Sequence, residues 1–132
     1  GCMIAISNSS PLIILSCIDR LDILAALFEN VYIPDAVYGE VVRNNHLIEQ
    51  KSRIVKAVNE FIQVTSPTTH RVFTRRLGAG EEGVLTLSLE MAPDVVLLDD
   101  KKARNEAKAL NLPIVFSMDI LKWAEHRGLI SS

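Results

Sequence analysis

The stretch VVLLDD, residues 95–100, places four aliphatic residues directly before two aspartates. A short uninterrupted apolar run is typical of a parallel strand that is buried on both faces. Residues 101–110 have the composition of a helix, and Asp100 is well placed to cap its N-terminus. Asp99 is then left without an obvious structural role, so it is the sharper functional candidate of the two.

The same alternation of strand and helix extends on both sides of this stretch. Residues 3–6 predict a strand, and Ser10 followed by Pro11 predicts the N-cap and first position of the next helix. Further helices are predicted over 21–28, 35–43, 49–60 and 78–91, and a last helix is capped by Ser117 and ended by Gly128. Further strands are predicted over 31–33, 61–64 and 113–116. This order predicts one domain, 1–132, with a three-layer α/β/α fold around a mainly parallel sheet.

Composition limits the classes of function. The net charge of −2 argues against binding nucleic acid by bulk electrostatics, so any such contact must be local. Cys2 and Cys17 lack the spacing of a zinc site and the density of a secreted scaffold, which favours a reducing cytoplasm. His46, His70 and His126 share no metal-ligand spacing. No apolar run approaches the roughly 20 residues of a membrane span, so no membrane association is expected.

Polar residues that follow strands are the first candidates for chemistry, because open parallel sheets bind ligands at the carboxyl ends of their strands. Asn8 and Asp99 occupy such positions. Glu81 and Glu82 open the helix that precedes residues 95–98, where acids also suit the helix dipole whether or not they react. That helix is apolar nearly all round, so its periodicity does not select one of the two glutamates.

Four segments, in this order, resemble the PIN-domain family of metal-dependent ribonucleases, and in particular a branch of short prokaryotic proteins. The segments are ISNSSPLI at 6–13, YIP at 32–34 with Val37 and Glu40, LGAGE at 77–81, and LLDD at 97–100 with Arg104, and the chain ends in a family-like GLI at 128–130. The resemblance spans most of the chain and implies the same α/β/α fold.

The resemblance also implies a site. Its catalytic and metal-binding residues would be Asn8, Glu40, Glu81 and Asp99, supported by Ser9 and Asp100. Glu81 is preferred to Glu82 by counting back from Asp99 against the family pattern. The implied cofactor is Mg²⁺ or Mn²⁺, which takes oxygen ligands and orients a water for attack on an RNA phosphodiester. Repulsion among the carboxylates is expected to raise some of their pKa values without metal.

Basic residues lie on both sides of this implied site. Arg75 and Arg76 precede the glycine segment, and Lys102 and Arg104 follow Asp99, so they are candidates for contacting RNA phosphates. The alternative for each is a solvated surface charge.

One departure from the family pattern leaves two functions open. The family has aspartate where this chain has Asn8, whose neutral amide offers an oxygen but no charge. The first hypothesis is a metal-dependent endoribonuclease, such as the toxin of a toxin–antitoxin pair, with RNA as substrate, an antitoxin protein as partner and a second copy of the chain in a homodimer. The alternative is a catalytically inactive PIN-like module that binds a protein partner or nucleic acid.

Overall fold

Five short strands form one parallel sheet in the computed structural model of the protein, which describes residues 3–131. The strands are β1 (Ile4–Ser7), β2 (Asn30–Ile33), β3 (Ile62–Val64), β4 (Val95–Leu97) and β5 (Ile114–Val115), and their order across the sheet is β3-β2-β1-β4-β5. In the central strand β1, Ile6 pairs with Tyr32 of β2 on one side and with Val96 of β4 on the other. The prediction of a parallel sheet is confirmed.

Helices cover both faces of the sheet. They are α1 (Ser9–Cys17), α2 (Asp22–Leu27), α3 (Asp35–Tyr38), α4 (Ile48–Glu60), α5 (Ala79–Met91), α6 (Lys101–Ala109) and α7 (Ser117–His126), and a π-helical turn, Gly39–Arg43, continues α3. On one face α1 packs against α4 and α7, and on the other α5 packs against α6. Strands β2 and β3 lie on one side of β1, whereas β4 and β5 lie on the other. Because crossovers between parallel strands are right-handed, the helices of the two halves then cover opposite faces of the sheet. The three-layer α/β/α prediction is confirmed.

Burial on both faces explains why apolar and polar residues do not alternate along the central strands. Ala5 and Ile6 of β1, and Val96 and Leu97 of β4, are 0% exposed, since these strands have neighbours on both sides and helices on both faces. In the edge strand β3 only Ile62 is buried. No helix within residues 3–131 is long and apolar enough to cross a membrane.

Two helix starts differ from the prediction. Helix α1 begins at Ser9, not after a cap at Ser10, because Asn8 holds the cap position and makes no capping bond with its side chain. Helix α7 begins at Ser117 itself. The residue before it, Phe116, donates its backbone N–H to Asp119 over 3.1 Å, which replaces the predicted Ser117 cap.

Other local predictions hold. Asp100 accepts a hydrogen bond from the backbone N–H of Ala103 over 2.9 Å and therefore caps α6. Gly128, with φ of +73°, lies just after α7 in the left-handed conformation that ends many helices. Cys17 is an exposed free thiol, whereas Cys2 lies outside the described residues.

Candidate active site

The candidate site lies beside β1, the strand at which the order of strands across the sheet reverses. The chain leaves β1 towards β2 and later returns to β4 on the other side of β1. In open α/β sheets, the carboxyl ends of the strands at such a switch point form the ligand-binding crevice. Asn8 follows β1 directly, and its backbone N–H donates to the Leu97 carbonyl at the end of β4 over 3.0 Å. The residues that follow these two strands are therefore held side by side.

Glu40 reaches this edge from the π-helical turn. The Ser9 hydroxyl donates to Glu40 Oε2 over 2.7 Å, so the start of α1 orients this carboxylate. The carboxylate also lies against Gly80 of α5, where an added β-carbon would be only 2.2 Å from Glu40 Oε1. The backbone N–H of Asn44 donates to the Gly39 carbonyl over 2.9 Å, which gives the wider winding of a π-turn. Such turns are frequent at functional sites because they re-aim a side chain.

Glu81, in the first turn of α5, is the most perturbed acid of the site. Burial raises the pKa of Glu81, the nearby charge of Glu40 raises it further, and Asp100 adds a smaller effect of the same sign. The amide of Asn8 lowers this pKa by hydrogen bonding but does not offset the rest. Glu82 instead lines a separate hollow beside the preceding loop. The structure therefore separates two glutamates that the helical periodicity left equivalent.

Asn8 presents an unused acceptor. Its side chain is buried, at 4% exposed, and its Oδ1 atom has no hydrogen-bond donor among residues 3–131. A buried oxygen without a donor costs free energy, and such atoms in native proteins call for a physical explanation. A bound cation or an ordered water would satisfy this atom.

The two neighbouring aspartates have different surroundings. Asp99 accepts hydrogen bonds from the backbone N–H of Ser117, over 2.8 Å, and from the Ser117 hydroxyl. The expectation that Asp99 has no structural role is therefore wrong, because this carboxylate ties the end of β4 to the start of α7. Asp100, besides capping α6, is the aspartate whose charge raises the pKa of Glu81.

These residues match a hard cation in chemistry. Within residues 3–131, no group of three or more histidine, cysteine, aspartate or glutamate side chains lies close enough together to hold a metal ion. The polar groups that surround Glu81 at this edge nevertheless all offer oxygens: the carboxylates of Glu40 and Asp100, whose charges act on Glu81, and the amide of Asn8, whose Oδ1 is unpartnered. Oxygen donors are those that Mg²⁺ and Mn²⁺ prefer. The set therefore fits such an ion in type.

The predicted phosphate-binding cations differ in their surroundings. Arg75 is bound to the buried Glu106, with Nη1 2.8 Å from Oε2. Arg104 lies over the Phe116 ring, 4.5 Å from guanidinium carbon to ring centroid, and its buried Nε has no acceptor among residues 3–131. Arg76 and Lys102 are exposed and form no ion pair in the described part of the chain.

The crowded acids lead to a first prediction, on stability. The pKa of Glu81 in the folded protein lies above its unfolded value of about 4.3. Between these two pKa values the folded state therefore binds more protons than the unfolded state. The metal-free protein should therefore lose stability as the pH rises from about 4.3 through the raised pKa. We expect Glu81→Gln to remove this loss and to raise the melting temperature at pH 7 by a few degrees.

The measurement is thermal unfolding in EDTA between pH 4 and pH 8. Glu125→Gln, on the exposed face of α7, is the matched control. An identical pH dependence in the parent and in Glu81→Gln would contradict the prediction.

The comparisons with known proteins agree with this architecture. Residues 4–132 match the family described as PIN domain. The protein belongs to the PIN-domain family, whose members are generally nucleases and typically depend on divalent metal ions. The resemblance drawn from the sequence is thereby confirmed.

A solved structure supports the same fold. The chain is similar to a PilT N-terminus domain protein from the hyperthermophilic archaeon Sulfolobus solfataricus P2, with a TM-score of 0.69 over 92% of this chain and 93% of that one. The sequence identity is 15%, so this likeness concerns the fold alone. None of the curated proteins matches the chain in sequence.

Proposed function

We propose that this protein is a metal-dependent endoribonuclease that cleaves RNA phosphodiester bonds with Mg²⁺ or Mn²⁺. The observation that carries the proposal is the position of Glu40, held by Ser9 against the start of α5, where its charge and that of Asp100 act on Glu81 beside the unpartnered oxygen of Asn8. Burial and neighbouring acids together raise the pKa of Glu81, and such a perturbed acid at a topological switch point is a candidate for a functional site. Membership in the PIN-domain family, whose members are generally nucleases, supports this class of reaction.

Each residue of the crevice then has a distinct task. Glu40 and Glu81 supply two negative oxygen ligands, and Ser9 keeps the Glu40 carboxylate in one orientation. Asn8 supplies a neutral oxygen, which leaves the site with one negative charge fewer than an aspartate would give. Charge neutralisation at the phosphoryl group and activation of a water are the chemistry that a Mg²⁺ or Mn²⁺ ion held by these residues would supply.

The aspartate pair after β4 completes the proposed site. Asp99, predicted from the family pattern, remains in the proposed catalytic and metal-binding set and is held in place by Ser117. Asp100 joins it as a ligand candidate because its charge acts on Glu81. Replacing the two aspartates one at a time separates their roles.

Three cations are proposed to hold the RNA backbone next to this crevice. Arg104 lies four residues after Asp100 on α6, and its guanidinium carbon lies over the Phe116 ring at 4.5 Å. A charged donor of this kind suits a phosphate oxygen. Arg76 and Lys102 are free to contribute further contacts, whereas Arg75 reaches phosphate only if it leaves Glu106.

The decisive experiment combines metal binding with cleavage. We expect calorimetric titration with Mn²⁺ to show binding by the parent chain, loss of at least about tenfold in affinity in Glu81→Gln, and no change in Glu125→Gln. The parent should cleave a structureless RNA only when Mn²⁺ or Mg²⁺ is added. Metal-independent cleavage, or cleavage that survives Glu81→Gln unchanged, would contradict the mechanism.

Asn8 favours a second candidate, the inactive PIN-like module that binds a protein partner or nucleic acid. Under this alternative the parent neither binds Mn²⁺ nor cleaves RNA, and Asn8→Asp restores metal affinity by adding the missing charge. Under the nuclease proposal the parent already cleaves. The same calorimetric titration, extended to Asn8→Asp, therefore decides between the two.

The biological setting belongs to the proposal as well. The resemblance to toxin ribonucleases supports a role as the toxin of a toxin–antitoxin pair in the cytoplasm. The partners would then be an antitoxin protein and a second copy of this chain in a homodimer. Co-purification with the product of a neighbouring gene and sedimentation of the isolated chain test these partners.

A further inference from the structure

One buried carboxylate takes no part in the proposed site. Glu106 of α6 is 4% exposed, and it is the only charged residue that is buried within residues 3–131. Taking a carboxylate out of water is costly, and an apolar side chain of similar volume often stabilises a fold as well or better. The packing of α6 alone therefore does not account for an acid at this position.

The partners of Glu106 come from the loop that leads into α5. The backbone N–H of Arg75 donates to Glu106 Oε1 over 3.0 Å, and Arg75 Nη1 donates to Oε2 over 2.8 Å. The backbone bond from Arg75 is the largest cause of a lowered pKa of Glu106, and the backbone N–H of Thr74 lowers this pKa further. One ionised acid thus holds two consecutive backbone groups of the loop against α6.

The segment that Glu106 holds ends at the first turn of α5. Gly78, three residues after Arg75, is the N-cap of this helix, and the backbone N–H of Glu82 donates to its carbonyl over 3.0 Å. The Glu81 carboxylate lies beside the cap, because a β-carbon added to Gly78 would be 3.0 Å from Glu81 Oε1. Between the two points Leu77 packs against the core. The position of the loop therefore bears on the position of the Glu81 carboxylate.

Helix α6 also carries the acid that acts on Glu81 from the other side. Asp100 caps α6, and its charge raises the pKa of Glu81. Glu106 lies six residues further along the same helix, about 9 Å along its axis. Helix α6 is therefore connected to the start of α5 at both of its ends, by a nearby charge at one and by a hydrogen-bonded carboxylate at the other. The bonds of Glu106 limit how far Glu81 and Asp100 can move apart.

We propose that Glu106 is a positioning residue of the candidate metal site. By holding the loop at Arg75 against α6, it keeps the Glu81 carboxylate at the distance from Asp100 at which both can bind one cation. The inference rests on the proposed function for the cation, but the placement of the first turn of α5 does not depend on metal. Groups behind metal ligands commonly orient them, and their loss costs about 10- to 100-fold in affinity.

The test compares two substitutions of Glu106 that differ in their hydrogen-bond acceptors. Glu106→Gln keeps an oxygen for the Arg75 backbone N–H, whereas Glu106→Leu has a similar volume and no acceptor. In calorimetric titration with Mn²⁺, we expect Glu106→Leu to lose at least about tenfold in affinity and Glu106→Gln to stay within about threefold of the parent. Glu125→Leu, on the exposed face of α7, should keep the parent affinity.

Amide hydrogen exchange in EDTA gives a second measurement, which needs no metal. The Glu82 N–H closes the first turn of α5 on Gly78, and we expect it to exchange at least about tenfold faster in Glu106→Leu than in the parent. The Val96 N–H, which donates to the Pro113 carbonyl over 2.9 Å, reports unfolding of the sheet. It should not accelerate by the same factor.

Two exchange results would overturn the positioning role: a Glu82 N–H that exchanges at the parent rate in Glu106→Leu, or one that accelerates only together with Val96. Faster exchange with an unchanged Mn²⁺ affinity would also refute it. An equal loss of affinity in Glu106→Gln and Glu106→Leu would assign the effect to charge and not to position. If the parent binds no Mn²⁺, the nuclease proposal fails, and hydrogen exchange alone decides whether Glu106 fixes the start of α5.

Discussion

Asp100→Asn is expected to lower metal-dependent RNA cleavage by at least about 100-fold while the fold persists, since even outer partners of metal ligands often cost 10- to 100-fold. Asparagine is as good a helix cap as aspartate, so the start of α6 keeps its hydrogen bond to Ala103. The change therefore removes one negative charge from the crevice and little else. Loss of that charge should also bring the pKa of Glu81 closer to its ordinary value.

The neighbouring Asp99→Asn is the natural comparison for this variant. Its carboxylate accepts two hydrogen bonds from Ser117, and an amide retains one acceptor oxygen for them. We expect a lower melting temperature and a smaller loss of cleavage than for Asp100→Asn. Rates are measured on the same RNA at saturating Mn²⁺. If Asp99→Asn abolishes cleavage and Asp100→Asn leaves it intact, Asp99 is the acid of the site, as the family pattern alone predicts.

Gly80→Ala should be the most damaging glycine-to-alanine change within residues 3–131. The new β-carbon would lie 2.2 Å from Glu40 Oε1 and 2.9 Å from the carboxyl carbon, so Glu40 must leave its position between Ser9 and α5. We expect cleavage to fall by at least about tenfold, because displaced active-site groups commonly cost this much or more. Overpacking of the contact should also destabilise the fold by about 1–3 kcal/mol.

Gly39→Ala provides a control one residue before Glu40. Gly39 has helical dihedral angles, φ −58° and ψ −43°, and an added β-carbon would only touch Arg43 at 3.7 Å. This variant should keep both its stability and its activity. Urea unfolding and initial rates on the two glycine variants, compared at a temperature where both are folded, separate loss of the site from loss of the fold. Full activity in Gly80→Ala would show that the position of Glu40 is not required.

The sequence predicted the architecture because buried strands and helix starts leave local signals. The aliphatic runs of β1 and β4, the glycine segment before α5 and the cap at Asp100 can each be recognised within a few residues. The resemblance to the PIN family then implied that Glu40 and Glu81 share one site, and in the structure the charge of Glu40 is near enough to raise the pKa of Glu81. These features depend on neighbours in the chain, which a single sequence displays.

The remaining features depend on contacts between distant segments. Ser9 and Ser117 are ordinary helix-start residues in sequence, and nothing local shows that their hydroxyl groups bind Glu40 and Asp99 instead. The widening of the helix at Gly39–Arg43 lacks a sequence signal of its own, so one continuous helix was expected there. Nothing in the polar sequence of α6 marks Glu106 as buried, yet it is 4% exposed and forms an ion pair with Arg75 from a remote loop.

The pairing of β1 with β4 also determines when the site can exist during synthesis. Ile6 lies opposite Val96, so the central strand waits for about ninety further residues before its second neighbour leaves the ribosome. Closing so long a segment is slow compared with forming local helices. Asn8 can therefore meet the end of β4, where its N–H donates to the Leu97 carbonyl, only after that strand has been made. A nascent copy therefore carries Glu40 and Glu81 before the crevice exists, and under the proposed nuclease function it gains activity only after β4 has joined β1.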